Sequence, residues 1–178
     1  TDIGIAAFMT FSFYYYLKFI RYPTRKNVIL AGVFMGLLML AKFSFIIALP
    51  IFALATIVYP LVIHAKPGEK DKLALKFRRL REYVGKGFII FGISLTVVWV
   101  VYTINTFNMT KETISQTIDN TFLPSDTANP KNGYTNKTLH WLNDHTLTRP
   151  LTEFGIGIGY VFRRVSGGNG AYFMGQVS

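Results

Sequence analysis

Phe45-Ile-Ile-Ala-Leu-Pro50-Ile-Phe-Ala-Leu-Ala-Thr56-Ile-Val-Tyr-Pro60-Leu-Val-Ile63 carries no charged residue along its whole length. The hydrocarbon core of a bilayer, about 30 Å thick, takes about 20 mostly apolar residues in helical conformation, and this segment is close to that length. In lipid the backbone must be hydrogen-bonded internally, so the segment reads as a helix. Pro50 and Pro60 are tolerated where neighbouring helices satisfy the freed carbonyls, and a kink is expected near Pro50. Outward from it lie further apolar runs, giving spans at residues 3–19, 28–41, 45–63 and 87–104. The fold class is an all-α integral membrane protein: a polytopic helical bundle of about four transmembrane helices with an extracytoplasmic loop region.

Composition agrees. Hydrophobic residues make up 51% and charged residues 16%, with a mean hydropathy of +0.32, which is too apolar for an ordinary soluble domain. The net charge of +10 therefore calls for a membrane explanation, and no nucleic-acid partner is expected. Twelve of the 19 lysines and arginines fall in two stretches: Lys18, Arg21, Arg25 and Lys26, then Lys66, Lys70, Lys72, Lys76, Arg78, Arg79, Arg81 and Lys86. Cytoplasmic loops have this character under the positive-inside rule. Cysteine is absent, so no disulfide or thiolate metal site exists within the chain. The chain opens on Thr1 without a basic leader and closes on Ser178 without a terminal signal, and so reads as an internal fragment of a longer polypeptide.

In the first span, Phe11-Ser-Phe-Tyr-Tyr-Tyr16 crowds aromatic rings toward Lys18 and Arg21, which places that end at the headgroups. The second span carries Gly32 and Gly36, a spacing that lets helix backbones approach closely in lipid. Residues 64–86 form a basic cytoplasmic loop, in which Leu73, Leu75, Phe77 and Leu80 could line an interfacial helix attracted to anionic lipid. Its plainer alternative is a solvated loop that only sets topology. Residues 107–178 are rich in Asn, Thr, Asp and Pro and form an extracytoplasmic loop region, with short helices at Thr138–Asn143 and Leu151–Arg164. On the latter, Phe154, Ile158 and Phe162 make one stripe, suited to the membrane surface or to a span. The sequons Asn108-Met-Thr110 and Asn136-Lys-Thr138 are expected by chance in so Asn- and Thr-rich a chain. His140 and His145 lack metal-ligand spacing and read as ordinary loop residues, and Gly167-Gly-Asn-Gly170 lacks the context of a phosphate loop.

Alternating spans put Asp2, Lys42 and everything after Asn105 on the non-cytoplasmic side. Charge at depth costs roughly 2.5–3.5 kcal/mol, so an acid and a base at the outer ends of adjacent spans ask for a reason. The plain reasons are helix capping by Asp2 and snorkelling by Lys42. The functional alternative is a shared outward cavity, in which Lys42 meets a phosphate and Asp2 meets a sugar hydroxyl, a divalent cation or a basic partner. Arg149, Arg163 and Arg164 offer cationic help, against the plainer role of contacting headgroups or solvent. Glu153, four residues after Arg149, could simply pair with it.

The order Thr1-Asp2, an aromatic span, a basic turn, then Ala31-Gly32-(x)3-Gly36-Leu37-(x)3-Ala41-Lys42-Phe43-Ser44 and an apolar span with Pro50 resembles the GT-C membrane glycosyltransferases. The chain is most similar to their protein O-mannosyltransferase and aminoarabinose-transferase-like group. Arg149-Pro-Leu-Thr-Glu153-Phe-Gly and Gly167-Gly-Asn-Gly-Ala-Tyr-Phe-Met-Gly175-Gln-Val-Ser178 resemble an extracytoplasmic stretch of bacterial members. The resemblance implies an inverting enzyme of a bacterial plasma membrane. It would pass a sugar from a polyprenyl-phosphate donor to a lipid, glycan or protein acceptor on the extracytoplasmic side. It also implies a catalytic base in an outer loop upstream of Thr1-Asp2, and matches Asp2 and Lys42 to the family's second acidic position and to the lysine after its glycine-rich span. Asp2, Lys42, Arg149 and Glu153 are thus the expected substrate-binding residues, with no metal site assigned. Two other classes fit the same spans: a non-enzymatic membrane scaffold, and a secondary transporter, which the gathering of charges at helix ends disfavours.

Overall fold

The computed structural model describes residues 2–41, 45–62, 73–122, 131–166, 172–173 and 176–177. Its helices are α1 (Asp2–Arg21), α2 (Arg25–Ala41), α3 (Phe45–Val62), α4 (Leu73–Thr106), α5 (Lys111–Thr121), α6 (Lys131–Asp144) and α7 (Arg149–Ser166). A hairpin of β1 (Tyr172–Phe173) and β2 (Gln176–Val177) pairs antiparallel, with Tyr172 opposite Val177. The helical expectation holds except for this hairpin, whose two-residue strands are too short to leave an alternating pattern. Three helical segments are long and apolar enough to cross a membrane: Ile3–Arg21, Phe45–Val62 and Leu73–Thr106. With 17 residues, α2 is about 25 Å long, just under the core thickness. The chain forms two compact units, Thr1–Val98 and Trp99–Ser178, and α4 contributes residues to each.

In the first unit, Pro23 cannot continue α1, and Thr24 Oγ1 accepts from the Asn27 amide at 3.4 Å as the chain turns into α2. Asn27, buried, donates through Nδ2 to the carbonyls of Lys18 at 3.3 Å and Tyr22 at 2.7 Å, satisfying groups that a helix end leaves open. From there the helices alternate in direction. Antiparallel to α1, α2 brings Phe34 onto Tyr15, stacked at 4.9 Å, and near Phe11 at 5.2 Å. Parallel to α1, α3 stacks Phe52 on Tyr16 at 4.2 Å and meets Phe13 at 4.8 Å. The Tyr16 hydroxyl donates to the Phe52 carbonyl at 2.8 Å and is hydrogen-bonded to the Thr56 hydroxyl. Antiparallel to α3, α4 sets Gly87 against Thr56 and Tyr83 near Tyr59, while the Tyr83 hydroxyl donates to the Ile20 carbonyl at 3.1 Å.

The two glycines of the second span explain how α2 and α4 lie side by side. A Cβ at Gly32 would come within 2.7 Å of Ile93 Cβ and 3.0 Å of the Ile90 carbonyl, and one at Gly36 within 2.7 Å of Val97 Cβ and 2.9 Å of the Ser94 carbonyl. Ser94, fully buried, donates to the carbonyls of Gly32 at 3.0 Å and Ile90 at 2.9 Å. The close approach expected of this spacing is present, and its partner is α4.

Two-sided helix packing divides the aromatic rings of α1, with Tyr16 4% exposed and Tyr14 53% exposed. One expectation needs correction. The basic segment from Leu73 is not a loop set apart from the fourth span. Its described part is the start of one 34-residue helix, which holds no proline and runs on through Gly85 and Gly87.

Candidate functional site

The second unit is built on α5, α6 and α7, which pack on one another around Ile114, Ile118, Phe122, Leu139 and Ile156. The residues of α5 fall in the stretch expected as loop. A helix signal was nevertheless present: Thr110 caps the helix by accepting from the Thr113 amide at 3.3 Å, and Ile114, Ile118 and Phe122 recur at the four-residue spacing of one helix face. Asn143, 1% exposed, joins α6 to the start of α5 by donating to the Lys111 carbonyl at 3.1 Å and Ser115 Oγ at 3.0 Å.

On α7 the face against the bundle is not the stripe of Phe154, Ile158 and Phe162. Thr152 and Ile156 are buried there, while Phe162 is 55% exposed. A Cβ at Gly155 would lie 3.2 Å from Leu139 Cδ2, and one at Gly159 would run into the Phe122 ring. These two glycines do for α7 what Gly32 and Gly36 do for α2. Phe154 is buried on another side, its ring edge-on to Tyr102 at 5.7 Å. Trp99, also at the end of α4, donates through Nε1 to the Leu147 carbonyl at 2.6 Å.

Glu153 sits within this packing, half-buried. Its Oε1 is enclosed and has no hydrogen-bond partner among the described residues, and burial pushes its carboxyl above the ordinary glutamate range. Tyr102 lies within its electrostatic reach. A buried carboxylate oxygen without a donor is costly, and it is an acceptor available to any hydroxyl brought to it. Arg149, one turn earlier, does not fill that place. Its Nε donates to the Asn143 carbonyl at 3.5 Å, so the simple i, i+4 pair is not made.

The other expected site residues lie elsewhere in the chain. Asp2 is the first residue of α1, in the first unit, and Lys42 lies outside the described residues. Arg163 and Arg164 belong to α7. Of the expected set, the structure brings Arg149 and Glu153 onto one helix.

A polar cluster absent from the sequence reading joins α5 to α6. Asp119 Oδ1 accepts from Asn136 Nδ2 at 3.0 Å and lies 2.8 Å from His140 Nε2. The hydrogen bond from Asn136, followed by that from His140, holds the Asp119 carboxyl below its usual range. Asn136 also donates to the Phe122 carbonyl at 2.6 Å and is 4% exposed. The folded second unit therefore withholds the amide of the sequon at Asn136. Among the described residues no three His, Asp or Glu side chains group to hold a metal ion. In the first unit a cleft of about 360 Å³ is lined by residues including Tyr16, Met35, Phe52, Thr56 and Phe91; its described lining carries no charged side chain.

Set against protein-family models, curated proteins and solved structures, the chain matches none of them.

Proposed function

We propose that this chain is part of a membrane glycosyltransferase. It would transfer a sugar, with inversion, from a polyprenyl-phosphate donor to an acceptor on the extracytoplasmic side of a bacterial plasma membrane. The observation that carries this reading is the Glu153 Oε1 oxygen, enclosed and without a donor among the described residues, on an amphipathic helix of the second unit. A sugar or acceptor hydroxyl would supply the missing hydrogen bond, and an oxygen with raised proton affinity accepts such a bond strongly.

The alternating helix directions of the first unit support the sidedness. They bring the ends of α1 and α3 and the starts of α2 and α4 to one end, where Lys18, Arg21, Arg25, Lys26 and the cations of early α4 gather, as cytoplasmic ends do. With α2 counted as a crossing, the order of the spans assigns Asp2, Lys42 and the residues after Asn105 to the other face. In the proposed reaction the acceptor oxygen bonds to the anomeric carbon as the carbon–oxygen bond to the polyprenyl phosphate breaks. The hydroxyl proton passes to a base, and negative charge builds on the departing phosphate, where Lys42 and Arg149 are the candidate cations.

The test is sugar transfer from a radiolabelled polyprenyl-phosphate sugar in membranes containing the full-length polypeptide. Wild type is compared with Asp2→Asn, Lys42→Met and Glu153→Gln at matched expression. A fall of about a hundredfold in any of them, about 2.7 kcal/mol of transition-state stabilisation, places that residue in the site. Transfer that survives all three substitutions keeps the enzyme class and removes these residues from it. No transfer from any carrier turns the reading toward a non-enzymatic scaffold.

A further inference from the structure

A helix leaves its last four carbonyls without a partner of its own, and on a wetted surface water takes them. At the end of α6 a side chain meets each one. His145 Nδ1 donates to the Trp141 carbonyl at 2.9 Å, Thr148 Oγ1 to that of Leu142 at 2.7 Å, Arg149 Nε to that of Asn143 at 3.5 Å and Lys111 Nζ to that of Asp144 at 3.0 Å. The pattern runs on through the corner into α7. The His145 carbonyl accepts from the amides of Thr148 at 3.1 Å and Arg149 at 3.0 Å, the Leu147 carbonyl from Trp99 Nε1 at 2.6 Å, and the Thr148 carbonyl from the Leu151 amide at 2.9 Å. The exception is Thr146, to whose carbonyl Pro150 has no N–H to offer. Yet the corner is not covered: Leu147 is 74% exposed and Trp141 60% exposed. Carbonyls met from within the protein, beneath an exposed apolar tip, are what lipid requires and water does not.

We infer that the corner between α6 and α7, residues 145–148, is seated in the bilayer leaflet where α4 ends, with Leu147 among the upper acyl chains and Trp141 among the headgroups. Two donors set the depth. Trp99 stands five residues before Ile104, the outer end of the fourth span, and so about 7 Å inside the hydrocarbon. Lys111 is the first charged residue after Lys86, beyond the span and at the headgroups. The carbonyl that Trp99 holds belongs to apolar Leu147, and the one that Lys111 holds belongs to charged Asp144, so the polarity of the corner follows the depth of its donors. From the corner α7 leads outward again: Phe154 meets Tyr102 edge-on at 5.7 Å, about 5 Å nearer the outer end of α4 than Trp99. Segments that lie in an interface reach about 5–10 Å past the headgroup boundary, which is the depth Trp99 imposes. An exposed leucine costs least where acyl chains cover it, and the indole of Trp141 suits the headgroup level. Thr146, with its carbonyl unmet by Pro150, is the part of the corner that keeps contact with headgroup water.

Electron paramagnetic resonance of a nitroxide on Leu147→Cys, in the full-length polypeptide reconstituted into phosphatidylglycerol–phosphatidylcholine vesicles, tests this. Leu147 is exposed, so its replacement removes no packing. The reference is the same label on Glu112→Cys, exposed at the start of α5. At Leu147→Cys, collision with a water-soluble nickel chelate should be about fivefold lower than at Glu112→Cys, while collision with oxygen, which concentrates in lipid, should be higher. Nickel collision as frequent as at Glu112→Cys places the corner in water and overturns the seat. Low collision with both reagents also overturns it, because the tip is then packed in another protein segment and not in lipid. Trp99→Phe keeps an aromatic ring and removes the donor to the Leu147 carbonyl. It should raise nickel collision at Leu147→Cys about twofold, as the freed carbonyl is drawn toward water. An unchanged collision rate in Trp99→Phe overturns the role of Trp99 in setting the depth.

Discussion

At the residue scale, Glu153 and Asp119 titrate with opposite consequences. Burial raises the folded-state proton affinity of Glu153, so its contribution to stability is present below the ordinary glutamate range and is lost as pH rises through the raised value. Hydrogen bonds from Asn136 and His140 lower that of Asp119. Its contribution is present above the ordinary aspartate range and is lost as pH falls through the lowered value. Glu153→Gln should therefore stabilise the second unit near neutral pH, on the order of 0.5–1 kcal/mol given its partial exposure, and remove the loss above the glutamate range. Hydrogen-exchange protection of α5–α7 amides across pH 4–8 in both proteins checks this. A glutamine variant no more protected than wild type at neutral pH would show that water reaches the carboxylate. From its charge and spacing Glu153 reads only as a partner for Arg149, and its candidacy for a site rests on the resemblance of residues 149–155 to a family stretch. Its missing partner was not legible, because enclosure depends on helices distant in sequence. The Asp119–His140 contact was hidden for the same reason: its members are 21 positions apart, on two helices.

At the element scale, two pairs of glycines set how closely helices approach, and only Gly32 and Gly36 stood out in the sequence. An added methyl at Gly32 or Gly36 meets backbone carbonyls as well as side chains of α4, which cannot yield by a rotamer change. Gly36→Ala should cost about 1–3 kcal/mol, seen as faster thermal aggregation of the detergent-solubilised protein. Gly159→Ala meets the Phe122 ring instead, so trimming that ring should return part of the loss. In a double-mutant cycle, Gly159→Ala in a Phe122→Leu background should cost measurably less than in wild type, and equal costs would place the clash elsewhere. The role of Gly155 and Gly159 is not legible in the sequence, because Leu139 and Phe122, which they meet, lie outside α7. The long α4 was read as loop plus span because charge and apolar patterning change at Gly87, whereas helix continuity follows backbone hydrogen bonding, which crosses that boundary unaltered.

At the scale of the whole molecule, sidedness hangs on α2. If α2 crosses, the turn at residues 22–26 and the residues after Asn105 face opposite compartments; if it does not, every later assignment inverts. The chain has no cysteine, so single introduced thiols report cleanly. Lys26→Cys should react with a membrane-impermeant maleimide only after the cytoplasmic side is opened, and Thr146→Cys from the outside of intact cells. Labelling of both from the same side would remove α2 from the crossings and the proposed outward site with it. The sequence by itself determined that this is a helical membrane protein with cations gathered beside its apolar runs. Length, hydropathy and charge are local properties, and lipid permits few backbone solutions for them. Tertiary structure alone decided which helix meets Gly32 and Gly36, which aromatic rings are buried, that Glu153 Oε1 is enclosed without a donor among the described residues, and which face of early α4 is left open. Each of these depends on contacts between residues far apart in the chain, where short-range periodicity carries no information.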